Sequence, residues 1–270
     1  MKIELTPRLR IIYPKAVFGS LIARNVPNMK KNDGLEERKR DLEKKIKEAY
    51  AGPDEDQTIQ DYNTYFKRWG ETYPIEFQIK TIKRGGRFPQ VSALVDSMFL
   101  AELKNGHLTS GHDLDALQGD LIFDASEGGE RYLKLNDKEQ QLKKDDVVLK
   151  DERGILASVL YGPARRASIT PETKNALYLA WYPYGMVGEL ITAHLKDILS
   201  NLSIVFGSVT SEIQIHGWQL VRFHRKQQAS PLRRRGSRLS FQASGRTRRS
   251  GPSGSQGSQR RPTIPPSRTL

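Results

Sequence analysis

The chain contains no cysteine, which excludes disulfides, thiolate nucleophiles and cysteine-ligated metals. No uninterrupted apolar run approaches the roughly 18–20 residues of a transmembrane helix. The stretch Met1–Arg8 has no apolar core of the kind a secretory signal needs. A soluble, cytoplasmic protein without a membrane partner is the expectation. Acidic residues are missing from one region: Ile213–Leu270 carries 13 Lys and Arg and no Asp or Glu. Of the 44 basic residues in this 270-residue chain, the other 31 share the first 212 positions with all 31 acidic ones. The body is therefore formally neutral, and the net charge of +13 belongs to the tail. A neutral body argues against strong nonspecific phosphate binding by the folded part, while a local basic face stays open. His107, His112, His194, His216 and His224 show no metal-ligand spacing. A phosphate-binding loop and a nucleophile elbow are also lacking. No metal and no cofactor is expected, and ATP use is not indicated.

What is present reads as α+β. Ile11–Tyr13, Ala16–Phe18 and Ser20–Ala23 have strand character, with Pro14 and Gly19 as breaks. Leu35, Leu42, Ile46 and Ala49 lie at helical spacing among dense Glu and Lys, a solvated face, and Gly52-Pro53 ends that helix. A second helix sets Ile59, Tyr62, Phe66 and Trp69 on one side and stops at Gly70. Val91, Leu94, Val95, Met98, Phe99 and Leu103 follow the spacing of a buried helix face, closed by Asn105-Gly106. Short strands are expected at 119–125, 131–135, 146–151, 154–161 and 176–182, and a final amphipathic helix from Met186 to Ile198. This pattern suits a sheet core with flanking helices. Three regions result: N-terminal strands and a charged helix packed on the domain (1–56), the domain itself (57–218), and an Arg/Ser/Gly/Pro-rich tail (219–270). The tail has too few apolar residues for a core and is expected to be disordered. It is either an RNA- or membrane-attracting arm or an extension without function.

Several pieces resemble, in order, the B3/B4 domain of the phenylalanyl-tRNA synthetase β subunit. Val95-Asp96 opens the helix, Gly106 falls at the family glycine, and Asp113-Leu114-Asp115 matches the family's Asp-Leu-Asp. Gly119–Ile122, Ala125–Glu130, Leu133–Gln140, Asp145–Leu149, Asp151–Gly154 and Thr170–Thr173 are similar to the strands, turns and hairpin that follow. The resemblance covers roughly residues 57–202 and is greatest to members that consist of this domain without any synthetase. It implies a B3/B4-like fold that binds tRNA or aminoacyl-tRNA at its aminoacyl end. Hydrolysis of a mischarged product in trans, without cofactor, is its enzymatic form. The alternative is a noncatalytic module that binds RNA or an amino-acid-like small ligand.

The chain departs from the editing members where their chemistry lies. Ser110 stands at the family histidine, Met98-Phe99 at the Thr-Asn pair, Gly162-Pro163 near the Gly-Gly corner and Leu179 near the tyrosine-reading glutamate. Editing in the family implies a positioned water, donors for the developing oxyanion and a group to orient the water. His112 beside Asp113 is the candidate catalytic pair, because an imidazole titrates near neutrality and a carboxylate orients it. Neighbours on an extended segment point to opposite faces, so Asp115 or Asp96 is the other carboxylate to consider. Ser110 either binds a ligand hydroxyl or caps a turn. Tyr161, Gly162 and Arg165 form a strand end and loop suited to the acceptor end of tRNA, or else a plain exposed loop. Thr170 either contacts a ligand or forms a turn with Thr173.

Overall fold

The computed structural model describes residues 1–49 and 57–217, all within one compact unit. The expectations for the tail at 219–270 and for the helix stop at Gly52-Pro53 fall outside the described residues.

Local capping decides the first element. After strand β1 (Ile3–Leu5), the Thr6 hydroxyl accepts the Leu9 amide at 3.1 Å and Pro7 occupies the first helical position, so Pro7–Ile12 forms helix α1. Ile11 and Ile12, expected in a strand, are helical: Leu9 is buried and Ile11 points to solvent. The break expected at Gly19 is also absent, since β2 runs without interruption from Val17 to Arg24. Its reason is contact rather than flexibility. A Cβ at Gly19 would lie 2.5 Å from Ile191 and 2.9 Å from Leu195, side chains of helix α6 (Gly188–Phe206).

Two sheets result. Strands β3 (Thr109–Asp113), β10 (Ala176–Tyr182) and β11 (Thr210–Gly217) join β2 in an antiparallel sheet of order β11-β2-β10-β3. β10 is buried at all its positions, as a central strand covered on both faces must be. The second sheet contains β4 (Leu121–Ala125), β7 (Val147–Asp151), β8 (Gly154–Ser158) and β9 (Gly162–Pro163) in the order β1-β4-β7-β8-β9. Only β1 and β4 pair in parallel. The hairpin β5 (Arg131–Leu133) and β6 (Glu139–Gln141) stands apart from both. Aromatic rings join the sheets: Phe18 stacks on Phe123 at 3.9 Å, and Trp181 meets both edge-on.

Helices cover the remaining faces. In α3 (Gln57–Lys67), Ile59, Tyr62, Tyr65 and Phe66 are buried, and the Tyr62 hydroxyl donates to the Trp181 carbonyl at 2.5 Å. The aromatic stripe is thus core. Helix α4 (Pro74–Lys83) begins on a proline, and α5 (Ala93–Asn105) ends on Gly106 in a left-handed conformation. Tyr178 of β10 donates to the Leu94 carbonyl at 3.1 Å, which places α5 on the side of the sheet away from Trp181. The charged helix α2 (Asp33–Ala49) is not solvated throughout: Lys39 is buried, and its ammonium lies 2.7 Å from the equally buried Asp96 carboxylate of α5. A third buried ionisable group, Asp146, ties α3 to the second sheet. It accepts from Tyr65 at 2.7 Å and from Ser158 at 2.6 Å.

Removing one partner of a buried ion pair leaves an uncompensated charge and costs about 3–5 kcal/mol. Lys39→Met should therefore lower the urea midpoint strongly, and Lys39→Met combined with Asp96→Leu should recover part of the loss. Burial, opposed by the Ser158 and Tyr65 hydrogen bonds, raises the Asp146 pKa to about 7. A raised carboxyl pKa stabilises the fold fully below the unfolded value and loses that contribution as pH rises to about 7. Thermal melts from pH 4 to 8 should show Asp146→Asn lacking this decline relative to the unaltered chain.

Candidate functional site

A cavity of about 300 Å3 opens between α4, α5, the edge strand β3 and the segment 163–169. Its walls are chiefly apolar, from Val95, Met98, Phe99, Leu108 and Ile169. Five polar residues interrupt that surface: Glu102 on α5, Gln78 on α4, Thr109 and Ser110 on β3, and Ser168. Glu102 is 1 % exposed; its Oε1 accepts the Thr109 amide at 2.7 Å, while Oε2 has no hydrogen-bond partner. Gln78 Oε1 is likewise buried without a partner. Burial raises the Glu102 pKa well above the ordinary carboxyl range, with the Thr109 amide opposing. A second cleft of about 460 Å3 shares Val91 and Ile169 with the first and is bounded by Asn28, Lys30 and Thr170.

Beside the cavity runs an open groove of about 830 Å3 lined by Arg131, Lys150, Arg153, Arg165 and Arg166, with Tyr132 and Ile155 on its floor. Much of this charge is locally matched: Arg131 pairs with Glu139, Lys150 with Asp124, Arg165 with Asp137, and Arg166 with Asp151 at 2.5 Å. Basic residues still outnumber the acidic ones on the lining, which are Glu130 and Asp137. Two short segments separate groove from cavity. Leu133 faces the groove and Leu135 the cavity; Pro163 lines the cavity, and Ala164 and Arg165 line the groove. A bridge between Lys134 and Ala164 holds these segments together.

The sequence candidates scatter across this surface. Ser110 contributes to the cavity lining, Arg165 to the groove and Thr170 to the adjoining cleft. The Ser110 hydroxyl is engaged, taking a bond from Trp181 Nε1 at 3.0 Å and lying 2.9 Å from His112 Nε2. His112 is fully buried, on the face of β3 opposite Gly111, whose own face meets Met98 and Ile169. It does not pair with Asp113. That carboxylate instead takes the Asp115 amide at 2.9 Å and the Thr173 hydroxyl at 2.7 Å, closing a turn. Asp115 accepts from Asn175 at 2.9 Å. Gly162 supplies a carbonyl to the Tyr132 hydroxyl at 2.8 Å, and the Tyr161 amide donates to Ser158. The expectation of an imidazole titrating near neutrality also changes, because burial holds His112 down at about 4.

Glu102 escaped the sequence reading, although a signal existed. It lies at i+4 from Met98 and i+7 from Val95, a carboxylate on the apolar stripe of a buried helix. Met98 and Phe99 both line the same cavity.

Residues 72–184 match the family model described as the B3/4 domain. Among solved structures the chain is similar to an N-terminal fragment of the phenylalanyl-tRNA synthetase β-subunit from Pyrococcus horikoshii. The two are 14 % identical with a TM-score of 0.41, over 78 % of this chain and 50 % of that one. The chain thus spans half the length of that fragment. No curated protein matches it.

A histidine whose folded pKa is depressed leaves the fold fully stable above the unfolded value, and stability falls as pH drops toward the folded value. His112, held at about 4, should therefore keep one imidazole NMR resonance unshifted between pH 5 and 8. His112→Gln should flatten the loss of thermal stability between pH 6.5 and 4; a resonance titrating near 6.5 would contradict this placement.

Proposed function

We propose, for a chain that carries a B3/4 domain at residues 72–184, that it binds the aminoacyl end of tRNA and does not hydrolyse it. The observation that carries this reading is the juncture of groove and cavity across residues 133–135 and 163–165. The basic groove suits phosphates, whose contacts position a strand without reading sequence. Next to it, the apolar cavity suits the side chain or acyl body of an attached amino acid. Between them, the Leu133 and Leu135 side chains are both more than half exposed, a surface on which a terminal base can rest.

Against hydrolysis stands the chemistry of the walls. Among the described residues no imidazole lines the cavity, and burial raises the pKa of the one buried carboxyl there, which disfavours the ionised form a general base needs. Arg166 is committed to Asp151 and to the Gly154 carbonyl at 2.9 Å, so it orders the loop that presents Arg165.

The test is binding of the full chain to an acceptor-end RNA hairpin, bare or carrying a hydrolysis-resistant aminoacyl amide. The acylated RNA should bind about tenfold tighter, equivalent to one well-filled apolar pocket. Phe99→Trp, which fills the cavity, should erase that preference and leave bare-RNA binding intact. Arg153→Glu should weaken both RNAs and reduce the salt dependence. Equal affinity for the two RNAs would defeat the proposal, and faster loss of a natural aminoacyl ester in the protein's presence would replace binding with catalysis.

A further inference from the structure

We infer that the apolar cavity takes a ligand whose apolar body ends in a primary amine, held as an ammonium ion against Glu102 and Gln78. The inference rests on the reading of this cavity as the ligand site, and on nothing about RNA. Its basis is an unusual pair of omissions. Among the described residues only three buried side-chain nitrogen or oxygen atoms lack a hydrogen-bond partner, and two of them, Glu102 Oε2 and Gln78 Oε1, line this one cavity. Native interiors satisfy such atoms almost without exception, and an orphan at a cavity wall points to something that fills it.

Once an incoming cation ionises Glu102, both orphans are oxygens that accept. One hydroxyl carries a single hydrogen and serves one of them; an ammonium carries three and serves both. Charge points the same way. Glu102 sits in the last turn of α5, where the helix end already presents negative carbonyls and favours a cation. Among the described residues no cation meets it there. His194 is linked to Glu102 through Thr109, whose hydroxyl lies 2.6 Å from His194 Nε2. Burial keeps this histidine neutral, with its pKa well below the usual value. Tyr62, on the neighbouring α3, is held protonated by burial. Lys104, two residues further along α5, turns outward to Asp197 at 2.7 Å. Val95, Met98, Phe99 and Ile169 offer the amine's body a dry wall, in which an ion pair is stronger than in water.

Amine binding has a proton signature. Burial raises the Glu102 pKa well above normal and so favours the protonated carboxyl in the empty cavity. An incoming ammonium stabilises the carboxylate, so the carboxyl proton passes to the buffer while the ammonium keeps its own. Protons are therefore released as the amine binds, up to about one for each amine.

The experiment uses the full chain without RNA and two near-isosteric probes, 2-phenylethylamine and 2-phenylethanol. The amine should raise Tm by about 3 °C or more near saturation, and the alcohol by much less. Calorimetry at pH 7 in two buffers of different ionisation enthalpy should show the released proton with the amine alone. Glu102→Gln keeps an oxygen for the Thr109 amide and should weaken the amine at least tenfold. Gln78→Leu, on a separate helix, should weaken it several-fold and serves if the first variant is unstable. Equal binding of the two probes, binding of neither, absence of proton release, or an unaffected Glu102→Gln variant would overturn the inference. Such a result would leave the preference for acylated RNA standing, because that preference is measured with other ligands.

Discussion

The contact between Lys39 and Asp96 fixes where the walls of the cavity stand. Asp96 opens α5, and besides the Lys39 ammonium its carboxylate takes the Val91 amide at 3.1 Å. Lys39 in turn reaches Glu36 at 2.9 Å and the Pro89 carbonyl at 3.3 Å. One buried ion pair therefore clamps helix α2, the 89–91 segment and the start of α5 at a single point. Val91 and Val95, held on either side of it, both line the cavity. Desolvating two charges is expensive, and hydrophobic replacements of equal volume often cost nothing. What the pair adds is register: the hydrogen bonds to Pro89 and Val91 are satisfied in only one placement of the loop. The clamp also explains why α2, outside residues 72–184, belongs to the architecture of the site.

Three buried carboxyls show how differently one chemical group can be used. Asp96 has a cation and stays an ion-pair member. Asp146 has no cation but receives two hydroxyls and the Leu160 amide at 3.4 Å, enough to satisfy both oxygens while its pKa rises to about 7. Glu102 has one amide for one oxygen and nothing for the other. Satisfied groups rigidify; the half-satisfied one costs free energy in the empty state and returns it on occupation. Position agrees with that division, because Asp96 and Asp146 face packed interior while Glu102 faces the cavity.

Periodicity exposed most of the buried faces of α3, α5 and α6, although Val91, ahead of α5, and Leu190 on α6 turn out exposed; the hydrophobic run at 176–182 exposed β10, because in each case one physical period decides. Capping chemistry, a purely local matter, was legible but misjudged at Thr6-Pro7, where β-branched Ile11 and Ile12 argued for a strand and lost. Gly19 could not be read at all. Its meaning depends on Ile191 and Leu195, far along the chain, lying on the strand. Helix α4 and strand β11 were passed over, the first because charged residues punctuate its stripe and the second because polar residues fill most of it. The candidate site fared unevenly for the same reason. The motif around 110–115 drew attention to titratable side chains, yet alternation turned His112 inward and turn geometry consumed Asp113 and Asp115. The groups that face the cavity, Glu102 and Gln78, lie on two helices whose approach no local pattern encodes.

Electrostatics gives the site its direction. The first 212 residues are neutral as a whole, so the field over the body is set by where charges stand rather than by their sum. The groove gathers five cationic side chains, and four of them are partly matched by carboxylates within 4 Å. Such matching weakens nonspecific attraction and keeps the guanidiniums in fixed orientations, which favours a shaped polyanion over a merely long one. A few residues away the cavity wall carries no cation and offers instead the unpartnered oxygens of Glu102 and Gln78 in an apolar lining. A molecule that is anionic along its length and cationic at its tip meets both fields at once, and the 133–135 and 163–165 segments set the distance over which its charge must change. An aminoacyl ester at the end of an RNA strand has that polarity, phosphates behind and an ammonium ahead. Under the proposed function, free amino acids and bare RNA would each satisfy one half of the surface.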